Sequence, residues 1–200
     1  MTRKGAALIW ALVTVVIAVP VWFALTSPLL QWREPVYIIA AFAGVVGMAF
    51  LLLQPLLVGG FLPGLGAPRG RHMHRVVGGA LVLAVFVHVA GLWITSPPDV
   101  VDALLFRSPT PFSVWGVIAM WAIFLAALLA IWRHQIGLRK WRLAHTGLAL
   151  VIVVGTVVHA LLIEGTMEPV SKAVFAGLIL VATTKVIGDL RGWFRRRTPR

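Results

Sequence analysis

The sequence predicts an all-α membrane protein, a bundle of six transmembrane helices with both termini in the cytoplasm. Its 200 residues are 60% hydrophobic and only 12% charged, whereas roughly 25% of the residues in an ordinary soluble domain are charged. Apolar runs of about the 20 residues that cross a bilayer recur along the chain. This composition excludes a soluble globular enzyme, a disordered chain and a collagen-like chain.

Short stretches rich in Gly, Pro, Ser or basic residues separate the apolar runs. We predict spans at about 6–26, 36–58, 74–95, 113–132, 143–163 and 171–190. These spans leave no room for a soluble domain, so we expect residues 1–200 to form a single membrane domain. The sequence has no cysteine, which excludes disulfides, thiolate zinc sites and iron–sulfur clusters.

The charged residues predict how the spans are oriented. If the N-terminus is cytoplasmic, the other side of the membrane receives only three of the 18 basic residues, Arg33, Arg107 and Lys172. Five of the six acidic residues lie on that outer side, and only Asp189 lies on the basic side. The positive-inside rule therefore predicts cytoplasmic termini. The net charge of +12 then needs no nucleic-acid partner, and we expect none.

Four of the six histidines form two pairs with the same spacing. His74 and His88 are fourteen residues apart in the third span, and His145 and His159 are fourteen apart in the fifth. On a helix this interval turns about 1400° and rises about 21 Å, so each pair shares one face. Both spans run outward, which predicts that His74 lies level with His145 at the inner end and His88 level with His159 at the outer end.

Facing imidazoles at two depths are typical of axial haem ligands, because a low-spin haem takes one ligand from each side. We therefore predict two haems, the inner held by His74 and His145 and the outer by His88 and His159. Small neighbours would make room for the rings, and basic residues at the inner end would pair with haem propionates. The glycines are Gly78, Gly91 and Gly155, and the basic residues are Arg71, Arg75, Lys140 and Arg142.

For the remaining residues that could belong to the haem sites, the sequence pattern is weaker. His72 is about 160° out of alignment with His88, so we expect a loop residue, and we expect His134 to be solvated in the basic loop before the fifth span. Trp121, near mid-bilayer, is either a bridge between the haems or simply a packing residue. Residues 97–112 predict a short amphipathic turn that is either a lid over the outer haem or an interfacial connector.

The histidine-bearing strings resemble the ferric reductase-like transmembrane domain. They are His74-Arg75-Val76-Val77-Gly78 with His88, and Lys140-Trp141-Arg142-Leu143-Ala144-His145 with His159. The family includes the membrane core of NADPH oxidases and ferric-chelate reductases, and the haem-binding subunit of the bacterial periplasmic methionine sulfoxide reductase system. The resemblance implies two b haems that pass electrons outward, and a multi-pass protein of the bacterial inner (plasma) membrane.

The donor and acceptor are expected to be other molecules. The sequence ends shortly after the sixth span, where the oxidases continue into a flavin and NADPH-binding unit, and its Gly-rich stretch 59–66 is better interpreted as a turn than as a dinucleotide loop. We therefore expect no flavin or NAD site, no dehydrogenase domain, and a separate flavoprotein or a quinol as donor, with quinone as a possible further cofactor. The acceptor outside is a ferric chelate, dioxygen or a periplasmic protein.

Three alternatives compete with a stand-alone dihaem ferric reductase-like protein. One is the haem-binding subunit of a periplasmic methionine sulfoxide reductase, although the resemblance implies no histidine at the position of His74 in that subtype. The second is cytochrome b of quinol oxidoreductases, which differs in span count. The third is a non-redox transporter or assembly factor whose histidines bind free metal or relay protons.

Overall fold

The computed structural model describes the backbone of residues 2–197 and the side chains of residues 2–189, and this part of the chain is helical without strands. The basic run 195–197, which the sequence places on the inner side, therefore has no described side chains. The α-helices are α1 (Arg3–Leu25), α2 (Pro35–Val58), α3 (Ala67–Thr95), α4 (Pro97–Leu104), α5 (Pro111–Ile131), α6 (Leu138–Leu162) and α7 (Pro169–Arg197). Single turns of 3₁₀ helix lie at Pro28–Leu30 and Trp132–His134.

All the helices except α4 are long and apolar enough to cross a membrane, with α5 counted through His134 and α7 to Asp189. The predictions of an all-α chain and of six spans are therefore confirmed. Two helices begin five or more residues earlier than predicted, α3 at Ala67 instead of 74 and α6 at Leu138 instead of 143. The apolar runs locate only the hydrocarbon-spanning part, whereas the helices continue as basic first turns that suit the headgroup region.

Proline marks where most of the helices begin. Its fixed φ angle suits the first helical turn, where its missing N–H costs no hydrogen bond. The helices α2, α4, α5 and α7 begin at Pro35, Pro97, Pro111 and Pro169. At α7 the Glu168 carboxylate also accepts hydrogen bonds from the backbone N–H groups of Ser171 and Val170. These bonds hold the pKa of Glu168 below its ordinary value.

The core of the bundle consists of two tight helical hairpins, α2 with α3 and α5 with α6. Glycines bring the paired backbones together. A Cβ added at Gly91 of α3 would lie 2.7 Å from the Cβ of Ala40 in α2, and one at Gly155 of α6 would lie 3.0 Å from the Trp115 carbonyl oxygen in α5. Neither glycine can be replaced without separating its hairpin.

The helix α7 packs against both hairpins, on α2 and α6, and also contacts α1. Its Phe175 and Ile179 are the largest fully buried side chains of the described part. In contrast, α3 and α6 make almost no close backbone contact with each other. The two hairpins therefore meet mainly through α7 and α5, and the backbones of the two histidine-bearing helices stay apart from each other.

A buried lysine ties the start of α7 to the end of α6. Lys172 is only 7% exposed, and its Nζ donates to the carbonyl oxygen of Ile163 at 2.8 Å. Ile163 follows the last residue of α6, and its own N–H donates to the carbonyl oxygen of His159. A cation at a helix C-terminus is favourable because it meets the unpaired carbonyl end of the helix.

We predict that Lys172→Met lowers the free energy of unfolding by about 1–3 kcal/mol, because a buried carbonyl loses its donor. The matched control is Lys185→Met on the same helix. Lys185 is 57% exposed in its ion pair with Asp189, so its loss should cost at most about 1 kcal/mol. Denaturation of the two detergent-solubilised variants measures the difference, and equal losses would contradict a capping role for Lys172.

Candidate functional site

The structure brings the four spaced histidines together in two pairs, and all four rings are half-buried. The rings of His74 in α3 and His145 in α6 have centroids 6.1 Å apart and planes at 77°. We call them the inner pair, after the end of the bundle at which the sequence predicts them. His88 and His159, the outer pair, lie one fourteen-residue interval further along the same two helices. The predicted juxtaposition is therefore present, with α3 and α6 running in the same direction.

In the outer pair, both imidazoles are fixed by backbone carbonyls of the neighbouring helices. His88 Nδ1 donates to the carbonyl oxygen of Ala40 in α2 at 2.8 Å, and His159 Nδ1 donates to that of Phe112 in α5 at 2.9 Å. A carbonyl oxygen can only accept, so both Nδ1 atoms carry the proton. Both Nε2 atoms therefore keep a free lone pair, as a metal ligand needs.

Glycines on α2 and α5 lie directly against the outer rings. A Cβ added at Gly44 would be 3.1 Å from Nδ1 of His88, and one at Gly116 would be 2.7 Å from Nδ1 of His159. These two positions let each ring reach its carbonyl. The sequence prediction missed them because it considered only small residues on the histidine-bearing helices themselves.

The inner pair is held differently. His74 Nδ1 is 3.4 Å from the backbone oxygen of Gln54 in α2, a long distance for a hydrogen bond. His145 stacks on Trp141, with centroids 5.2 Å apart and planes at 8°, and the indole N–H of Trp141 donates to the carbonyl oxygen of Leu129 at 3.2 Å. Nδ1 of His145 is buried without a hydrogen-bond partner in the described part of the chain.

The other predicted site residues occupy two kinds of position. The basic ones are exposed at the inner end of the bundle, within two turns of the inner pair: Arg71, Arg75, Lys140 and Arg142. Gly78 lies beside the Gln54 side chain, whereas Gly91 and Gly155 form the close contacts within the hairpins. Their predicted roles toward a haem stay predictions.

Two of the weaker candidates lie where the sequence predicts and one does not. His72 is exposed but helical, so its assignment to a loop is wrong; α3 begins at Ala67 because Pro68 suits a first helical turn. His134 is exposed in a 3₁₀ turn and accepts a hydrogen bond from Arg133 Nε at 3.1 Å. Trp121 is 52% exposed on the outside of the bundle and contacts Phe124, which favours the packing role.

The outer segment contains the predicted short amphipathic element as helix α4, which packs on α3 and α5 and buries Val100 while Val101 stays exposed. In the predicted turn 59–66, Gly60 and Gly64 adopt positive φ angles of 71° and 80°, which glycine reaches without strain. Neither segment contributes a side chain to the histidine pairs in the contacts described above.

The four spaced histidines form two pairs, the inner pair and the outer pair. Among the described residues, no three His, Asp or Glu side chains lie close enough together to hold a metal ion. A pair of opposed imidazoles leaves most coordination positions of a bare ion unfilled. It suits a metal whose other positions are filled by a planar macrocycle.

The chain was compared with known protein families, curated proteins and solved structures. Residues 40–156, more than half of the chain, match the family described as ferric reductase like transmembrane component. The chain belongs to this family. No curated protein and no solved structure gave a match.

The matched residues of this ferric reductase-like protein run from α2 into α6, and they contain His74, His88 and His145, with His159 three residues beyond the match. The resemblance inferred from the histidine strings is thereby confirmed at the level of the family. Membership indicates an oxidoreductase membrane component that takes part in transmembrane electron transfer. Six apolar helices make it a multi-pass protein that lies in a lipid bilayer.

We predict that Gly116→Ala destabilises the protein by about 1–3 kcal/mol, because the added Cβ must push the His159 ring from the Phe112 carbonyl or separate α5 from α6. The matched control is Gly147→Ala on α6, where an added Cβ meets nothing within 4 Å. That change should be neutral or stabilise the helix by up to about 1 kcal/mol. The midpoint of thermal unfolding in detergent measures both, and equal midpoints would refute the close contact.

Proposed function

We propose that this ferric reductase-like protein carries electrons across the membrane on two b-type haems, each held between one histidine of α3 and one of α6. The observation that carries the proposal is the pair of opposed rings, His74 and His145, which come from helices of different hairpins. The outer pair adds a second site one fourteen-residue interval away, with both Nε2 atoms free to bind a metal.

The spacing of the inner rings fits axial ligation. Metal–imidazole bonds are about 2.0–2.1 Å long, so two such bonds in line place the ligating nitrogens about 4 Å apart and the ring centres roughly 6 Å apart. The centroids of His74 and His145 are 6.1 Å apart.

Bound haem would supply a one-electron carrier at each level, and the protein would bind it, orient its ligands and exclude water. The Ala40 and Phe112 carbonyls hold the outer imidazoles in the tautomer that presents Nε2. At the inner end, we assign propionate binding to the exposed basic side chains, Arg71, Arg75, Lys140 and Arg142. Gly78, Gly91 and Gly155 are assigned an indirect role, because they face α2 and α5 and let those helices hold the histidine-bearing helices closely.

The direction of transfer is proposed from charge. The inner end of the described part carries the exposed basic side chains and the outer loops carry most acids, so the positive-inside rule supports a cytoplasmic inner pair in a bacterial plasma membrane. Electrons would then enter at the inner pair and leave from the outer pair to a ferric chelate, dioxygen or a periplasmic protein. A separate flavoprotein or a quinol would be the donor.

We predict that the purified protein binds two haems and that single histidine variants remove one each. His88→Ala and His159→Ala should lose the outer haem, and His74→Ala and His145→Ala the inner one, because each haem keeps only one axial ligand. The reduced-minus-oxidised absorption spectrum and the haem-to-protein ratio measure the loss. His72→Ala and His134→Ala are the controls and should keep both haems. A full haem content in any of the four ligand variants would refute that residue's assignment.

We predict that ionic strength distinguishes the two donors. A flavoprotein recruited by the exposed basic side chains Arg133, Arg139 and Lys140 should reduce the haems more slowly as salt screens the attraction. A neutral quinol in the bilayer should be nearly unaffected. Stopped-flow reduction at increasing salt measures both, and NADPH alone is the control that should leave the protein oxidised. Reduction by NADPH in a flavin-free preparation would contradict a separate donor.

A further inference from the structure

The His145 ring is stacked on a tryptophan indole. Trp141, one turn earlier on α6, lies parallel to the imidazole, with centroids 5.2 Å apart and planes at 8°, which is typical of an offset-stacked aromatic pair. Nδ1 of His145 is buried without a hydrogen-bond partner in the described part of the chain. The other three paired imidazoles each have a backbone oxygen beside Nδ1, at 2.8, 2.9 and 3.4 Å, and His74 also has the side-chain carboxamide of Gln54 beside it. Outside the pair itself, the stack with Trp141 is therefore the described contact that orients the His145 ring.

The indole is itself anchored on two helices. Its backbone lies in the first turn of α6, where the Trp141 N–H donates to the carbonyl oxygen of Gly137. Its ring N–H donates to the carbonyl oxygen of Leu129 at 3.2 Å, close to the end of α5 at Ile131. The last carbonyls of a helix have no partner within the helix, so this acceptor is available to a side chain. A tryptophan side chain has only two rotatable bonds, and the two anchors therefore hold the plane of the indole.

The plane of an axial imidazole affects the electronic structure of a low-spin haem, because axial ligands and their surroundings tune the iron. Each ring interacts through its π system with the iron d orbital that lies perpendicular to the ring plane. Parallel rings therefore separate the energies of two such orbitals, whereas perpendicular rings leave them nearly equal. Nearly equal orbitals give ferric haem a strongly anisotropic electron paramagnetic resonance (EPR) signal with one large g value. The planes of His74 and His145 are 77° apart, which is close to perpendicular.

We propose that Trp141 is the positioning residue of the inner haem site: its indole, anchored on Leu129, holds the His145 imidazole nearly perpendicular to that of His74. This inference rests on the proposed function, since it needs both histidines as ligands. Without the indole, the His145 ring is free to turn about its bond to the iron. Because 77° is already close to a right angle, most other orientations bring the two planes nearer to parallel. The outer rings need no such residue, because both donate to backbone carbonyls.

The test is EPR spectroscopy of the oxidised, haem-loaded protein, in which the inner signal is the low-spin signal that disappears in His145→Ala. In the wild type this signal should be strongly anisotropic, with one large g value. Trp141→Leu should lower that g value, whereas Trp141→Phe keeps a flat ring on His145 and should stay close to the wild type. The outer signal should not move. Trp132→Leu and Trp132→Phe are the matched controls, since Trp132 is 51% exposed at the same end of the bundle, and both should leave the two signals unchanged.

Three results would overturn the proposal. The first is an inner signal that is unchanged in Trp141→Leu, or that shifts equally in the Leu and Phe variants, because a merely structural role would not distinguish a stacked ring from an aliphatic side chain. The second is a wild-type inner signal without the large g value, since the ring planes would then not be perpendicular. If Trp141→Leu loses the inner haem, Trp141→Met replaces it in the measurement, and the third result is loss of that haem from all three variants. Wild-type protein without haem would instead refute the proposed function, and this inference with it.

Discussion

The close packing within each hairpin is the constraint on which the rest of the structure depends. Because α2 lies along α3 and α5 along α6, each histidine-bearing helix is held by its own hairpin partner. The two histidine-bearing helices therefore need not touch each other. Gly91 and Gly155 keep those pairs close. The separation between the backbones of α3 and α6 is thus a product of tight packing elsewhere in the bundle, and the opposed imidazoles of the inner pair lie between them.

The two ends of the site use different means to orient their imidazoles. At the outer end, backbone carbonyls of α2 and α5 accept from both rings, and the rings reach them because Gly44 and Gly116 have no side chains. At the inner end, orientation depends on side chains, namely Gln54 beside His74 and the Trp141 indole stacked on His145. The hairpin partners therefore do more than support the ligand helices, because they supply the acceptors of both outer rings and a side chain beside His74.

Periodicity and charge predicted much of this arrangement. The six spans follow from the apolar runs, the parallel direction of α3 and α6 follows from the order of the spans, and the meeting of His74 with His145 follows from helical geometry applied to a fourteen-residue interval. The sequence did not predict Gln54, Gly44 or Gly116, because nothing in a single sequence tells which residues of one helix face a histidine on another. The sequence does contain one indication of Gln54, because it is a polar residue within an apolar run. The assignment of His72 to a loop is wrong because hydrophobicity locates the part of a helix that lies in the hydrocarbon and does not show where the helix begins.

Main-chain acceptors also affect how the site can change through evolution. A carbonyl oxygen is present whatever the side chain, so the hydrogen bond that His159 donates to position 112 survives any replacement there that preserves the helix. Position 54 has no such protection, because a single codon change alters or removes the carboxamide beside His74. Natural variation can therefore alter the surroundings of the inner pair while the backbone conserves the hydrogen bonds of the outer pair.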